Sequence, residues 1–159
     1  MSRRTAGILI VVLLGLLLFV TVYYLPLFIG DPGPYEETTV SVYDRNGTLL
    51  STVEVRIADD RVQRYVGLSE TDSLADDSGM LFVHGSEGTQ SYVMRNMSFD
   101  LDIIFIDSDG KITTIHHAPA DSEDSFRGQG QYVLEVPRGW ANATGVDTGD
   151  IVEIPDEDS

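Results

Sequence analysis

Apolar residues recur at alternate positions along much of this chain, and the alternating runs are separated by Asn-Gly, Asp-Gly and glycine-rich breaks. Thr38–Tyr43 and Leu49–Ala58 alternate β-branched and polar residues around Asn46-Gly47, which predicts a β-hairpin. Asp59 and Asp60 offer an N-cap for a short helix starting near Arg61, with Val62, Tyr65 and Val66 on one face and Gly67 near its end. Residues 71–78 read as an acidic loop, Gly79–Val83 as a short buried strand, 85–90 as a turn and Ser91–Met94 as the next strand. Leu101–Ile106, the turn Asp107-Ser108-Asp109-Gly110 and Lys111–Ile115 form a second hairpin. An exposed loop over 118–131 precedes a strand at Tyr132–Val136, a helical turn within Arg138–Thr144 and a last strand at Ile151–Ile154.

Six or seven short strands with one or two short helices predict a β-rich α+β domain, and antiparallel meanders closing into a small barrel dispose of the sheet edges. A different pattern precedes it. Ile8 to Leu25 is eighteen residues without a charge, extended by Leu27–Ile29, against the ~20 residues a helix needs to cross a bilayer. Arg3 and Arg4 lie before this segment and acids follow it, so the expected topology is single-pass, with the N-terminus cytoplasmic and the C-terminal domain outside the cell membrane. A cleaved signal peptide would need a small-residue site where Tyr23, Tyr24, Leu25 and Pro26 stand. The expected organisation is a cytoplasmic N-terminus at 1–7, a signal anchor at 8–29, a linker at 30–37, one globular domain at 38–155 and an acidic tail at 156–159.

Charge narrows the function classes. Residues 31–159 carry eight basic against twenty-six acidic residues, a formal balance of −18, and the only lysine is Lys111. Such a surface repels phosphate backbones, so no nucleic-acid partner is expected. Acidity with so little lysine suits a halophilic protein, because self-repulsion is screened within about 3 Å at 1 M salt. The chain has no cysteine, which excludes disulfides, zinc–thiolate sites and thiol nucleophiles.

A linked series of motifs runs through the second half: Arg61, Arg64-x-x-Gly67-Leu68, Gly79-Met80-Leu81-Phe82, Tyr92-Val93-Met94-Arg95-Asn96, Leu101-Asp102-Ile103, Gly110-Lys111-Ile112, Tyr132-Val133-Leu134-Glu135-Val136-Pro137-x-Gly139 and Gly149-Asp150. In that order they resemble the domain-of-unknown-function family 192 over roughly residues 50–154. The resemblance implies a small barrel-like domain, often behind a signal or membrane segment, with no established activity or cofactor. The chain departs from the family pattern at His84 and Val93, where aromatic residues are usual, and at Met97, where a small hydroxyl residue is usual.

Asp102 and Glu135 interrupt apolar runs, and strand alternation can place either inward, where a carboxylate needs a partner such as Arg61, Arg64 or Arg95. The ligand-binding candidates are therefore Arg61, Arg64, Met94, Arg95, Asn96, Asp102 and Glu135, beside the plainer reading of a structural ion-pair network. His116 and His117 point to opposite faces of a strand, so at most one can join His84, and neither a metal nor a cofactor is expected. Asp107–Gly110 lacks the spacing and terminal glutamate of a calcium loop and reads as a hairpin turn. All three asparagines, Asn46, Asn96 and Asn142, stand in glycosylation acceptor sequences, with Asn46 and Asn142 in turn regions and Asn96 inside a family motif.

No reactive constellation emerges, so catalysis is not expected. The first reading is a membrane-anchored, outward-facing accessory or binding domain, held in the membrane through 8–29, for a protein or small-molecule partner the sequence does not name. A hydrolase-like enzyme with a site near Asp102, Glu135 and Arg64, and a structural cell-envelope protein, are the alternatives.

Overall fold

A computed structural model describes residues 31–154; the predicted anchor at 8–29 and the acidic tail at 156–159 lie outside the described residues. The elements are β1 (Glu36–Tyr43), β2 (Leu49–Ala58), α1 (Arg61–Val66), β3 (Ser78–Tyr92), β4 (Leu101–Ile106), β5 (Ile112–Ala118), β6 (Phe126–Pro137), α2 (Trp140–Thr144) and β7 (Ile151–Glu153). Among the described residues no helix is long and apolar enough to cross a membrane.

Both predicted hairpins form, and one device turns both. Asp44 Oδ1 accepts hydrogen bonds from the backbone N–H groups of Asn46 and Thr48, each at 2.8 Å, while Gly47 takes φ 82°. Asp107 Oδ1 likewise accepts from Asp109 at 3.0 Å and Lys111 at 2.8 Å, with Gly110 at φ 82°. Each aspartate side chain fastens a turn whose glycine occupies the left-handed region, and the strand register shifts beside each turn, between Val42 and Tyr43 and between Phe105 and Ile106. The Asn-Gly pair thus serves a turn with a glycine bulge; Asn46 itself has no positive φ.

The strands form one sheet in the order β5-β4-β6-β3-β2-β1-β7. Its two ends meet, because Lys111 bridges Ile151, Val152 N–H donates to Gly110 O at 2.8 Å and Ile112 N–H donates to Asp150 O at 2.9 Å. The result is the expected β-rich, barrel-like domain with two short helices. One correction applies to the antiparallel expectation: β2 and β3 run parallel, Val55 opposite Gly79 and Ile57 opposite Leu81, with α1 in the crossover. A second concerns the linker, since β1 begins at Glu36 and Tyr35 packs on the domain.

Two apolar cores lie on the two faces of this sheet. Val40, Val42, Val53, Val55, Leu81, Ile104, Ile106, Leu134 and Val136 fill the inside with Trp140 and Ala141 of α2. Met80, Phe82, Leu101, Ile103, Phe105 and Val133 point the other way and are covered by Leu68 and Met94. Hence β4 is buried at every position, and the period-2 signal that marks a one-faced strand is absent there.

The largest correction lies in the polar, glycine-rich stretches. Residues 85–90 are not a turn and 126–131 are not loop: β3 runs on past a bulge to Tyr92, and β6 starts at Phe126, so Gly88 pairs with Gly130, Gln90 with Gly128 and Tyr92 with Phe126. Glycine is needed here for proximity. A Cβ on Gly128 would lie 2.3 Å from Phe105 Cγ, and one on Gly130 would lie 2.6 Å from Ile106 O. The helix face also differs from expectation. Asp60 caps α1 through Val62 and Gln63, at 2.6 and 2.8 Å, but Gln63 is its buried residue and Tyr65 is half exposed. The Gln63 amide explains this, because it accepts from Asp59 N–H at 3.2 Å and donates to Pro34 O at 3.3 Å.

Replacing Gly128 by alanine should cost about 1–3 kcal/mol, because the methyl group must displace the Phe105 ring in a packed core. Gly85→Ala, where nothing lies within 4 Å, should stay within about 0.5 kcal/mol of the parent. Chemical denaturation in molar salt measures both, and equal stabilities would contradict the packing role.

Candidate functional site

Strand alternation sends the two predicted carboxylates to opposite faces. Asp102 sits opposite Val136 on the inner side of the sheet, whereas Glu135 sits opposite Ile103 and Met80 on the outer side. They do not share a site.

Asp102 is fully buried and fully engaged. Its Oδ2 accepts from Gly139 N–H and Ala141 N–H, both at 3.0 Å, and its Oδ1 is bonded to His117 Nδ1 at 2.6 Å. The carboxylate thus satisfies backbone donors at the start of α2, which otherwise have no partner inside the helix. The arginines proposed for it are elsewhere.

Glu135 has the opposite situation. It is 6% exposed, it makes no side-chain hydrogen bond among the described residues, and burial pushes its carboxyl up to about 8. It lies at the floor of a cavity of about 340 Å³ on the outer core, at the low end of the usual range for small-molecule pockets. Phe82, Leu101, Met94 and Met97 make apolar walls, and Arg64 and Arg95 bring the positive charges.

Each element delivers its part for a local reason. Arg64 lies in the last turn of α1 and its guanidinium donates to Val83 O at 2.9 Å and to Asp59 O, which holds it half-buried against β3. Arg95 donates to Tyr65 O at 2.6 Å and lies over the Tyr65 ring, 4.0 Å from its centroid, a cation–π pair at the mouth. Tyr92 Oη and His84 Nε2 share a hydrogen bond of 2.9 Å beside the floor. Burial, then the nearby Glu135, raises the Tyr92 hydroxyl against the opposing effect of Arg64. Burial and Arg64 together hold His84 below its ordinary value.

Of the sequence candidates, Arg64, Met94, Arg95 and Glu135 come together here. Arg61 is exposed on α1, Asp102 is on the other face, and Asn96 takes φ 56° in the turn after Met94 without lining the pocket. The sequence reading missed Tyr92 and His84 as a pair because it broke their strand at 85–90. The His117–Asp102 contact was within reach of the sequence, since the hairpin register places those residues opposite one another. The three histidines stay apart: His84 is with Tyr92, His117 with Asp102, and His116 Nε2 donates to Arg127 O, 2.8 Å away, beside Phe105 and Phe126. Among the described residues no three His, Asp or Glu side chains form a metal cluster. A wider cleft of about 500 Å³ runs between β1, β2 and residues 71–79, but its arginine, Arg56, is bonded to Thr71 Oγ1 at 3.0 Å and no unpartnered buried carboxyl faces it.

The raised Glu135 value has a measurable consequence. Between about 4.5, the ordinary value, and about 8, the native state holds one proton more than the unfolded chain, so stability falls as pH rises through that window and levels off above it. Glu135→Gln removes this slope. The variant should gain on the parent by a few kcal/mol between about pH 5 and pH 8, measured by denaturation at matched pH; a constant difference would contradict the buried, protonated carboxyl. His84 contributes with the opposite sign, on acidification, and is common to both proteins.

Comparison with known proteins places the chain. The fold is similar to a candidate transcription regulator of Sinorhizobium meliloti 1021, at 35% identity over 78% of this chain and 97% of that one, with a TM-score of 0.72. It is also similar to a protein of unknown function from Novosphingobium aromaticivorans DSM 12444, at 26% identity over 79% and 90% of the two chains, with a TM-score of 0.71. No curated protein matches the chain. Residues 42–154 match the family described as Uncharacterized ACR, and the chain therefore belongs to the domain-of-unknown-function family 192.

Proposed function

We propose that the protein is a membrane-anchored, outward-facing binding domain whose small-molecule ligand enters the pocket floored by Glu135. One observation carries this reading: a carboxyl that is more than nine-tenths buried, has no hydrogen bond among the described residues and faces a cavity. The carboxyl opens to the cavity, so its hydrogen bonds are completed from there, by water or by a ligand that displaces it. Perturbed ionisable groups in clefts mark functional sites for the same reason.

The anchor and the topology rest on the apolar run from Ile8 and on Arg3 and Arg4 ahead of it. Exposed Asn46, Asn96 and Asn142 in acceptor sequences agree with an external domain, Asn142 now on α2. The acidic, lysine-poor composition supports a halophilic setting. Transcription regulation, the description of the Sinorhizobium neighbour, is not carried over, because the −18 balance of residues 31–159 opposes contact with a phosphate backbone. The hydrolase alternative loses its constellation, since Asp102 is across the sheet from Glu135 and Arg64.

Four methionines make the binding test direct: Met94 and Met97 line the pocket, Met80 stands beside Glu135 on the neighbouring strand and Met1 is remote in sequence. The full chain in lipid nanodiscs and molar salt, labelled at methionine methyl groups, should show selective shifts of Met94 and Met97 with members of a small-molecule library. A library that leaves both unmoved would favour the structural cell-envelope reading. Protease added to intact cells should digest the 31–159 domain, and full protection would overturn the orientation.

A further inference from the structure

The cavities of this domain differ in the sign of what lines them. The cleft beside β1 and β2 has Glu37 and Glu54 against Arg56, the one beside β7 has Asp109 and Glu153, and the one beside α2 has Asp76 and Asp77 against Arg138, so acids prevail in each. The Glu135 pocket has two arginines, and its single acid is Glu135 itself. Two of the seven arginines in residues 31–159 thus line one pocket of an otherwise strongly acidic chain, which favours an anion there.

Inside, the chemistry is that of a donor at the end of an apolar slot. Glu135 holds its proton through neutral pH and offers an O–H with no internal acceptor. Arg64 supplies a half-buried positive charge, and the walls of Phe82, Leu101, Met94 and Met97 offer nothing polar. At the mouth the side chains of Tyr65 and Val93 are 50% and 58% exposed, two of the few large apolar residues so placed among the described residues. A cation would meet Arg64 and Arg95 on its way to a neutral acid, which disfavours it on both counts.

We propose that the pocket takes a small organic carboxylate with an apolar body, the carboxylate accepting the Glu135 hydrogen bond in the field of Arg64 and the apolar part lying along Met94 and Met97 toward Tyr65 and Val93. The inference rests on the binding reading above and adds the class of ligand. An acid O–H donating to a carboxylate is a short, charge-assisted hydrogen bond, stronger than one between neutral groups. The same chemistry is presented by a free acid and by the C-terminus of an apolar peptide.

The groups facing Glu135 make its protonation legible in a binding curve. Arg64 of α1 and Arg95 of the segment after β3 line the pocket with it. His84 and Tyr92 face it from β3, the first held low and the second raised, so both stay neutral across the window; from β4 come only Leu101 and Ile103. Glu135 is then the group that titrates.

The test uses the full chain in nanodiscs with four probes, hexanoate, N-acetylleucine, hexylamine and hexanamide, read at the Met94 and Met97 methyl groups from roughly pH 6.5 to 9.5. The acids should bind at least about tenfold more tightly than the amine and the amide, and the tighter acid identifies the source. Acid affinity should fall by about tenfold per unit above the Glu135 midpoint, where the donor is lost. Glu135→Gln keeps a donor, so it should retain binding of the acids while losing this pH dependence. Tighter binding of hexylamine, or acid affinity that rises or stays level with pH, would overturn the carboxylate class and leave the pocket a binding site. No shift with any probe or with the library would overturn both readings.

Discussion

The end of the barrel is held by one buried carboxylate. Asp102 gathers two backbone N–H groups from the start of α2 and the imidazole of His117, and hydrogen bonds to a charged group contribute about 1.5–3 kcal/mol each. With these contacts made, α2 seats Trp140 and Ala141 in the inner core and the chain can turn into β7, whose neighbours close the sheet on Gly110 and Ile112. Asp102 also fixes which way β4 faces. Its side chain points inward with Ile104 and Ile106, so Leu101, Ile103 and Phe105 must point outward.

The outward face follows from that choice and creates the pocket. Register carries the outer row from Ile103 through Glu135 to Met80, so an acid on β6 is placed in an apolar row where no neighbour can pair with it. Phe105, on the same face, demands a glycine at 128, within the ribbon in which the ends of β3 and β6 pair. That ribbon sets Tyr92 against Phe82 and His84, beside the floor. One inward carboxylate and one outward carboxyl therefore have separate duties: the first closes the fold, and the second is left for something outside it.

Much of this was legible in the sequence where local chemistry decides the outcome. The two Asp-x-x-Gly turns, the Asp60 cap and the Leu101–Ile106 strand follow from side chains acting on their own backbone. Glycine misled the reading at 85–90 and 126–131, since a residue placed for close approach to Phe105 looks the same in sequence as one placed for a turn. Gln63 was hidden because its burial depends on Pro34, twenty-nine residues away. Asp102 and Glu135 were rightly marked as acids in apolar strands. Their assignment to one site failed because facing depends on cross-strand register, which periodicity within a fully buried strand does not reveal.

Glu135 carries its proton at neutral pH because burial raises its carboxyl with no ion pair to offset it. Carbon-13 labelling of glutamate side chains, with Glu135→Gln to assign the resonance, allows its carboxyl carbon to be titrated directly in the full chain in molar salt. A single midpoint near 8 is expected in the ligand-free protein. A midpoint near the ordinary glutamate value of about 4.5 would contradict it, and with it the reason for placing a ligand there.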